Sequence, residues 1–438
     1  MKNSLIYKNK YWNCDSICIV ALLCLTGITF FSSNIGILVA GLKLNLADIL
    51  LFGFAFVNLC KCSGKIVLTP SLKYLCKPWI VLIGAYIIWI PLGMFAGAEI
   101  QEDIKLIRNL FYVIAVLFFF QKNAKNIREI SIIRIFSIIT SIDTIVDAKN
   151  QFYNNEWFMF SRSNSVAHVY LFCYLLWQIG SDEYFSDKVI DFICCVALLV
   201  AAFLSQERTQ LIAIVLTIGI VAIIRLCNIG KEKRLARKKV ISFFASILVL
   251  IILAYMLLNA LLRIPFLKNY LDYFYTYRLA SGKLFSQLLS NGIKNDGSGS
   301  ARLLQIQNIL SDNIANPFSF LFGRGMNAYY FAAQGRTYIV DGTFLWIFKD
   351  MGMFGCLIMA QGVKRLIVPK NTGIGKNRWS VIAGGIAISI FMLTNPTFMM
   401  SANASVVFGL QLYILCQRYT FPKCKLCEPK IDYEKNQD

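Results

Sequence analysis

Val189 to Arg225 reads VIDFICCVALLVAAFLSQERTQLIAIVLTIGIVAIIR. Two apolar runs, 189–205 and 208–225, flank a polar knot with Glu207 and Arg208 at its centre. Each run approaches the roughly 20 residues a helix needs to cross a hydrocarbon core. The knot is too short for more than a tight turn, so the pair predicts a helical hairpin across a membrane. Arg208 then lies at the membrane edge. It is either the polar turn such a hairpin requires or a cation aimed at a ligand.

The same pattern recurs outward from this hairpin. Apolar blocks lie near 16–32, 46–60, 78–98, 104–120, 130–148, 164–180, 240–262, 342–362, 379–395 and 402–417. With the hairpin they predict an all-α polytopic membrane protein of about twelve transmembrane helices. The composition agrees: 57% of the residues are hydrophobic and mean hydropathy is +0.59. A transmembrane β-barrel is disfavoured, because its strands alternate in segments of about ten residues.

The formal net charge is +20. In a soluble chain that would point to nucleic acid; here no RNA-binding or zinc-finger spacing accompanies it, and nucleic acid is not an expected partner. Loop charge that orients the helices explains it better. Basic clusters fall in alternate loops: the N-terminal tail, 61–77, 121–129, 225–239, 363–378 and the tail after Arg418. Both termini are therefore expected in the cytoplasm. The start, MKNSLIYKNKYWNCDSICIVALLCLTG, reads as a cytoplasmic tail and a retained first helix, since no small-residue cleavage site follows. The expected organisation is helices 1–9 in 1–262, a large periplasmic loop at 263–340, helices 10–12 in 341–417 and a tail at 418–438.

Fourteen cysteines do not make a disulfide framework. Most fall in or beside apolar spans. Cys60, Cys62, Cys76, Cys424 and Cys427 fall in basic loops assigned to the reducing cytoplasm. Cys424-x-x-Cys427 is a lone pair and a weak metal signal.

The long loop holds eight Lys or Arg against three Asp. Loops of this length escape the positive-inside rule, so the charge is free to serve an anionic ligand. Its aromatics, YLDYFYTYR at Tyr270–Arg278 and YYF at Tyr329–Phe331, suit an interfacial belt or a sugar-stacking surface. Arg302 follows Gly-Ser-Gly-Ser at an expected helix start, where serine caps well and free N–H groups favour phosphate. A capped surface helix reads the same way. Arg324, in FGRGMN, reads as a tight turn. Asp143 and Asp147 share a helix face and are expected to pair with Arg108 or Lys149. His168 reads as a packed histidine, and Lys349-Asp350 as part of an internal polar network.

SARLLQIQNIL, NPFSFLFGRGMNAYY and DGTFLWIFKDMGMFG, in that order after a large loop, resemble the signature region of the O-antigen polymerase family. That family lies within the O-antigen polymerase/ligase superfamily. The SQERTQ turn resembles the superfamily's Arg-bearing turn. The post-loop helix differs from the ligase pattern: it starts with Asp341-Gly342 where ligases have His-Asn, which favours a polymerase.

The resemblance implies a GT-C-like glycosyltransferase in the bacterial inner membrane. It would join oligosaccharide repeat units carried on undecaprenyl diphosphate, with inversion, without metal and without cofactor. Its partners would be those lipid-linked glycans, bilayer lipids, a chain-length regulator and a flippase. Fixed arginines suit a diphosphate leaving group because their fork is bidentate and always charged. Arg208 and Arg302 are the first candidates, with Arg278 and Arg336 in reserve. Asp341, at the position of the ligase His, is the first candidate for general base, and Glu207 the second. Three alternatives stay open: an O-antigen ligase, a flippase or transporter, and a non-catalytic scaffold.

Overall fold

The computed structural model describes residues 25–31, 36–39, 42–45, 47–51, 70–123, 128–153, 164–179, 184–205, 208–229, 297–332, 335–337, 339–367, 378–395 and 402–418, with isolated positions between them. The expected span 240–262, apart from four single positions, and residues 264–296 lie outside this set.

The helices are α1 (Pro70–Phe95), α2 (Ile100–Asn123), α3 (Glu129–Tyr153), α4 (Ser165–Ile179), α5 (Phe185–Leu204) and α6 (Arg208–Ile229). After the long loop come α7 (Gly297–Ile314), α8 (Pro317–Phe322), α9 (Thr343–Ile367), α10 (Arg378–Thr394) and α11 (Ala402–Arg418). Residues 25–31 and 47–51 are also helical. The chain is not purely helical as expected. Antiparallel ribbons form from β1 (Gly36–Val39) with β2 (Leu42–Asn45), and from β3 (Tyr330–Ala332) with β4 (Gly335–Thr337).

Two of the described helices, Lys73–Phe95 of α1 and α9, are long and apolar enough to cross a bilayer. Shorter apolar helices accompany them in α4, α6, α10 and α11. The protein is a helical membrane protein. Every residue of α4 is buried, and α3, α5, α6 and α10 pack around it. An apolar surface that is all buried needs no amphipathic stripe, which is why α4 reads as uniform grease. The outward sides of α1 and α6 keep Ile87, Ile88, Val215 and Ile223 exposed, as lipid contact requires.

Several boundaries move. α1 starts on Pro70, inside the expected loop 61–77, and so takes in Lys73, Cys76 and Lys77. Proline is well placed at a first helical position because its missing N–H is not needed there. Cys76 is buried rather than in a loop. At the far end of α9, Arg365 stacks 4.2 Å over the Tyr74 ring and donates to the Tyr74 carbonyl. Those basic residues end the helices instead of belonging to the loops.

Side-chain bonds sort the helix ends into two sets. Arg134 at the start of α3 meets Asp187 (2.9 Å) and Asp191 (2.5 Å) at the start of α5, and Ser380 at the start of α10 meets Gln178 at the end of α4. At the other end of the bundle, Thr209 opens α6 beside Asn395, which follows α10. There Asn403 near the start of α11 donates to Asn164, the residue before α4.

One helix is not continuous. Inside α9, Gly352 has φ 60° and ψ −154°, a region essentially restricted to glycine. A Cβ there would meet the Phe320 carbonyl oxygen at 2.5 Å. A break deprives the preceding carbonyls of helical donors, and the segment from α7 to β3 supplies replacements. Asn313 Nδ2 donates to the Phe348 oxygen at 2.8 Å. The backbone N–H groups of Arg324 and Gly325 donate to the Lys349 and Asp350 oxygens at 2.9 and 3.0 Å. Gly325 packs backbone to backbone on Gly93 of α1, where a side chain would collide. The Gly-Arg-Gly turn is therefore a plug seated in the bundle, not a turn in a free loop.

Gly352→Ala should unseat this plug. We expect a loss of about 2–3 kcal/mol from backbone strain alone, read as a lower unfolding temperature of the detergent-solubilised protein.

Candidate functional site

The site lies where α7 meets the turn that precedes α9. Arg302 Nε donates to Asp341 Oδ2 at 3.1 Å, with side-chain exposures of 39% and 42%. Among the described residues neither side chain makes another hydrogen bond. Arg302 is not at a helix start as expected. α7 begins at Gly297, so Arg302 lies in its second turn. The Gly-Ser run is helical because propensity is a weak prior that tertiary contacts override.

Gln305 lies three residues on, hence on the same helix face. Its Oε1 accepts the Asp341 N–H at 3.0 Å. Its Nε2 donates to the Ile339 carbonyl at 3.0 Å and to the Tyr330 hydroxyl. Tyr330 donates in turn to Ile339 at 2.7 Å. Burial pushes the Tyr330 phenol up, so it stays a neutral donor. This splint fixes the backbone that carries Asp341 beneath Arg302.

The turn is tied to the membrane helices below. The Thr343 N–H and Oγ1 both donate to the Asn395 carbonyl, at 3.1 and 2.9 Å. Asn395 Nδ2 donates to Thr209 Oγ1 at 3.1 Å. Thr209 directly follows Arg208, whose backbone opens α6; the Arg208 side chain lies outside the described set. Glu207 and Arg278 lie outside it entirely. Arg336 is placed only by its backbone, in β4 opposite Phe331. The structure thus joins Arg302 to Asp341 and brings the Arg208 turn to the same end through Asn395.

Below the site, Lys349 and Asp350 are 1% and 0% exposed and pair at 3.0 Å. Lys349 also donates to the Ala328 carbonyl at 2.8 Å, and Trp346 Nε1 donates to Asp350 Oδ2 at 3.0 Å. Asn327 donates to the buried Asp103 at 2.8 Å. A buried pair is more tolerable than either ion alone when the charges are matched and hydrogen-bonded, and these bonds support the pair at the break of α9. Arg324 touches this core through its backbone N–H, while its side chain pairs with Asp312 at 2.7 Å.

The other candidates fall elsewhere. Arg108 pairs with Asp48 at 3.6 Å, since residues 47–51 bring a carboxylate that the sequence places in an apolar block; the Lys149 side chain lies outside the described set. Asp143 accepts from Asn164 at 2.7 Å. His168 is 1% exposed and its Nε2 meets Thr144 at 3.1 Å, so it is packed within the bundle as expected. Among the described residues, no group of three or more His, Cys, Asp or Glu could hold a metal ion.

Residues 193–360 match a family model described as O-Antigen ligase. The match contains Thr209, Arg302, Gln305, Tyr330, Asp341 and the whole plug at Gly352. It runs from α5 into α9 and supports a likeness of this region to the O-antigen polymerase/ligase superfamily. A comparison with curated proteins finds no match.

The splint predicts energetic coupling. Gln305→Ala and Tyr330→Phe should each cost about 1 kcal/mol. In a double-mutant cycle of thermal unfolding they should couple by at least about 0.5 kcal/mol.

Proposed function

We propose that this protein polymerises oligosaccharide repeat units carried on undecaprenyl diphosphate at the periplasmic face of the bacterial inner membrane. The carrying observation is the half-exposed Arg302–Asp341 pair, set beside the Arg208 turn within the family-matched region. A cation and a carboxylate at one mouth are the two charges that glycosyl transfer from a diphosphate needs. The acceptor hydroxyl attacks the anomeric carbon, its proton passes to the base, and the diphosphate leaves with the electron pair of the broken bond. Arginines that grip the departing charge more tightly in the transition state lower the barrier.

In this reading Arg302 and Arg208 hold the diphosphate and Asp341 is the base. Glu207 is the second candidate for base, and Arg278 and Arg336 supply further positive charge. The end of the bundle bearing the site faces the periplasm. The opposite end, with Lys73, Lys77, Arg134 and Arg365, faces the cytoplasm, as do both termini. A chain-length regulator and a flippase are the expected protein partners.

One observation favours a second reading. The matching family model is described as a ligase, whose acceptor would be lipid A-core instead of another repeat unit. The Asp341-Gly342 start of α9 favours the polymerase. Deleting the gene separates the two on a lipopolysaccharide gel. Core bearing a single repeat unit is the polymerase outcome; bare core with long chains kept on the carrier is the ligase outcome.

Arg302→Ala and Arg208→Ala should each lower chain formation by about 100- to 1,000-fold, the usual cost of removing one transition-state donor, at normal protein levels. Full activity in either variant would remove that residue from the diphosphate site.

A further inference from the structure

The pairing of Arg302 with Asp341 sets a problem for the roles just assigned. The guanidinium meant for the diphosphate already donates to a carboxylate. The carboxylate meant to take a proton already has one oxygen occupied. In this arrangement each group blocks the other.

We propose that Asp341 is a displaceable guard on Arg302. An incoming diphosphate takes the guanidinium, and the loss of that partner frees Asp341 to accept the acceptor's proton. The inference rests on the diphosphate reading above.

Three observations carry it. First, the pair is weak by position. Its two side chains are 39% and 42% exposed, and ion pairs that solvent reaches contribute little. A diphosphate offers more negative charge and can engage the guanidinium through two parallel bonds, whereas Asp341 holds it only through Nε. Second, the exchange requires no movement of the backbone. Gln305 retains the Asp341 N–H, and Thr343 retains Asn395, so the carboxylate leaves by rotating about its own side-chain bonds. Third, Oδ1 has no bond among the described residues, so the freed group needs no second partner to break. The guard imposes an order: the acceptor hydroxyl meets a competent base only when a donor diphosphate is in place. Water meeting the empty site finds the base occupied.

The test is a titration of the purified full-length protein in lipid nanodiscs with farnesyl diphosphate, a short polyprenyl diphosphate. Removing a competing anion should strengthen binding, although it removes the base. Asp341→Asn is expected to bind the probe about two- to five-fold more tightly than wild type, the scale of an exposed pair, while chain formation is lost. Asp341→Ser reads the same quantity if the Asn variant does not accumulate. Asp312→Asn, which frees Arg324 instead, is expected to leave affinity unchanged.

Unchanged or weaker binding in the Asp341 variants would overturn the guard. Equal tightening in Asp312→Asn would overturn it too, because the effect would then be bulk charge. If wild type does not bind the probe saturably, or Arg302→Ala binds it equally well, the diphosphate reading itself falls and the guard with it. Those outcomes are distinguishable from failure of the guard alone.

Discussion

Three successive carbonyls, those of Phe348, Lys349 and Asp350, stand at the point where α9 breaks. In a bilayer core an unpaired carbonyl costs several kcal/mol, and no water is present to relieve it. The chain meets that demand with one side-chain amide from α7 and two backbone N–H groups from the Gly-Arg-Gly turn. These bonds position the described segment from α7 to β3. Because Arg324 and Gly325 must reach those oxygens, α7 and α8 are drawn down against α9 and α1. Because α7 is drawn down, Arg302 and Gln305 face the turn that carries Asp341.

The buried Lys349–Asp350 pair belongs to the same constraint. Its two charges cancel, and the carbonyl of Ala328 and the indole of Trp346 each add a hydrogen bond to one member of the pair. A polar cluster at that depth therefore costs less than either ion alone. The site above it gains a firm floor. Its own charged groups stay half exposed and free to exchange partners. Rigidity below and exchangeability above are what a site handling a highly charged leaving group requires.

Much of this was legible in the sequence, for physical reasons. Long apolar runs report helices directly, so the positions of α4, α5, α6, α9, α10 and α11 are legible within a few residues. Polar residues inside apolar context stand out, which is why Lys349-Asp350 reads as an internal polar network, and the structure shows the pair buried; Asp341 stands out only through its place in the family resemblance. Other features left no such mark. The break at Gly352 is one glycine within an apolar run, and its φ is set by carbonyls 30 residues away in the loop. Gln305 was overlooked although it lies three residues from Arg302 on one helix face. Its importance comes from Tyr330 and Ile339, which no helical periodicity relates to it. Arg108 meets Asp48 because a segment 60 residues earlier packs there, which local spacing does not reveal.

The plug also bears on how the protein is built. Its donors, Asn313, Arg324 and Gly325, precede α9 in the chain. The loop is therefore already made when the first half of α9 enters the bilayer and exposes its three carbonyls. A helix with an unfilled gap need not wait in lipid for a later partner. The order of synthesis delivers the stopper before the hole.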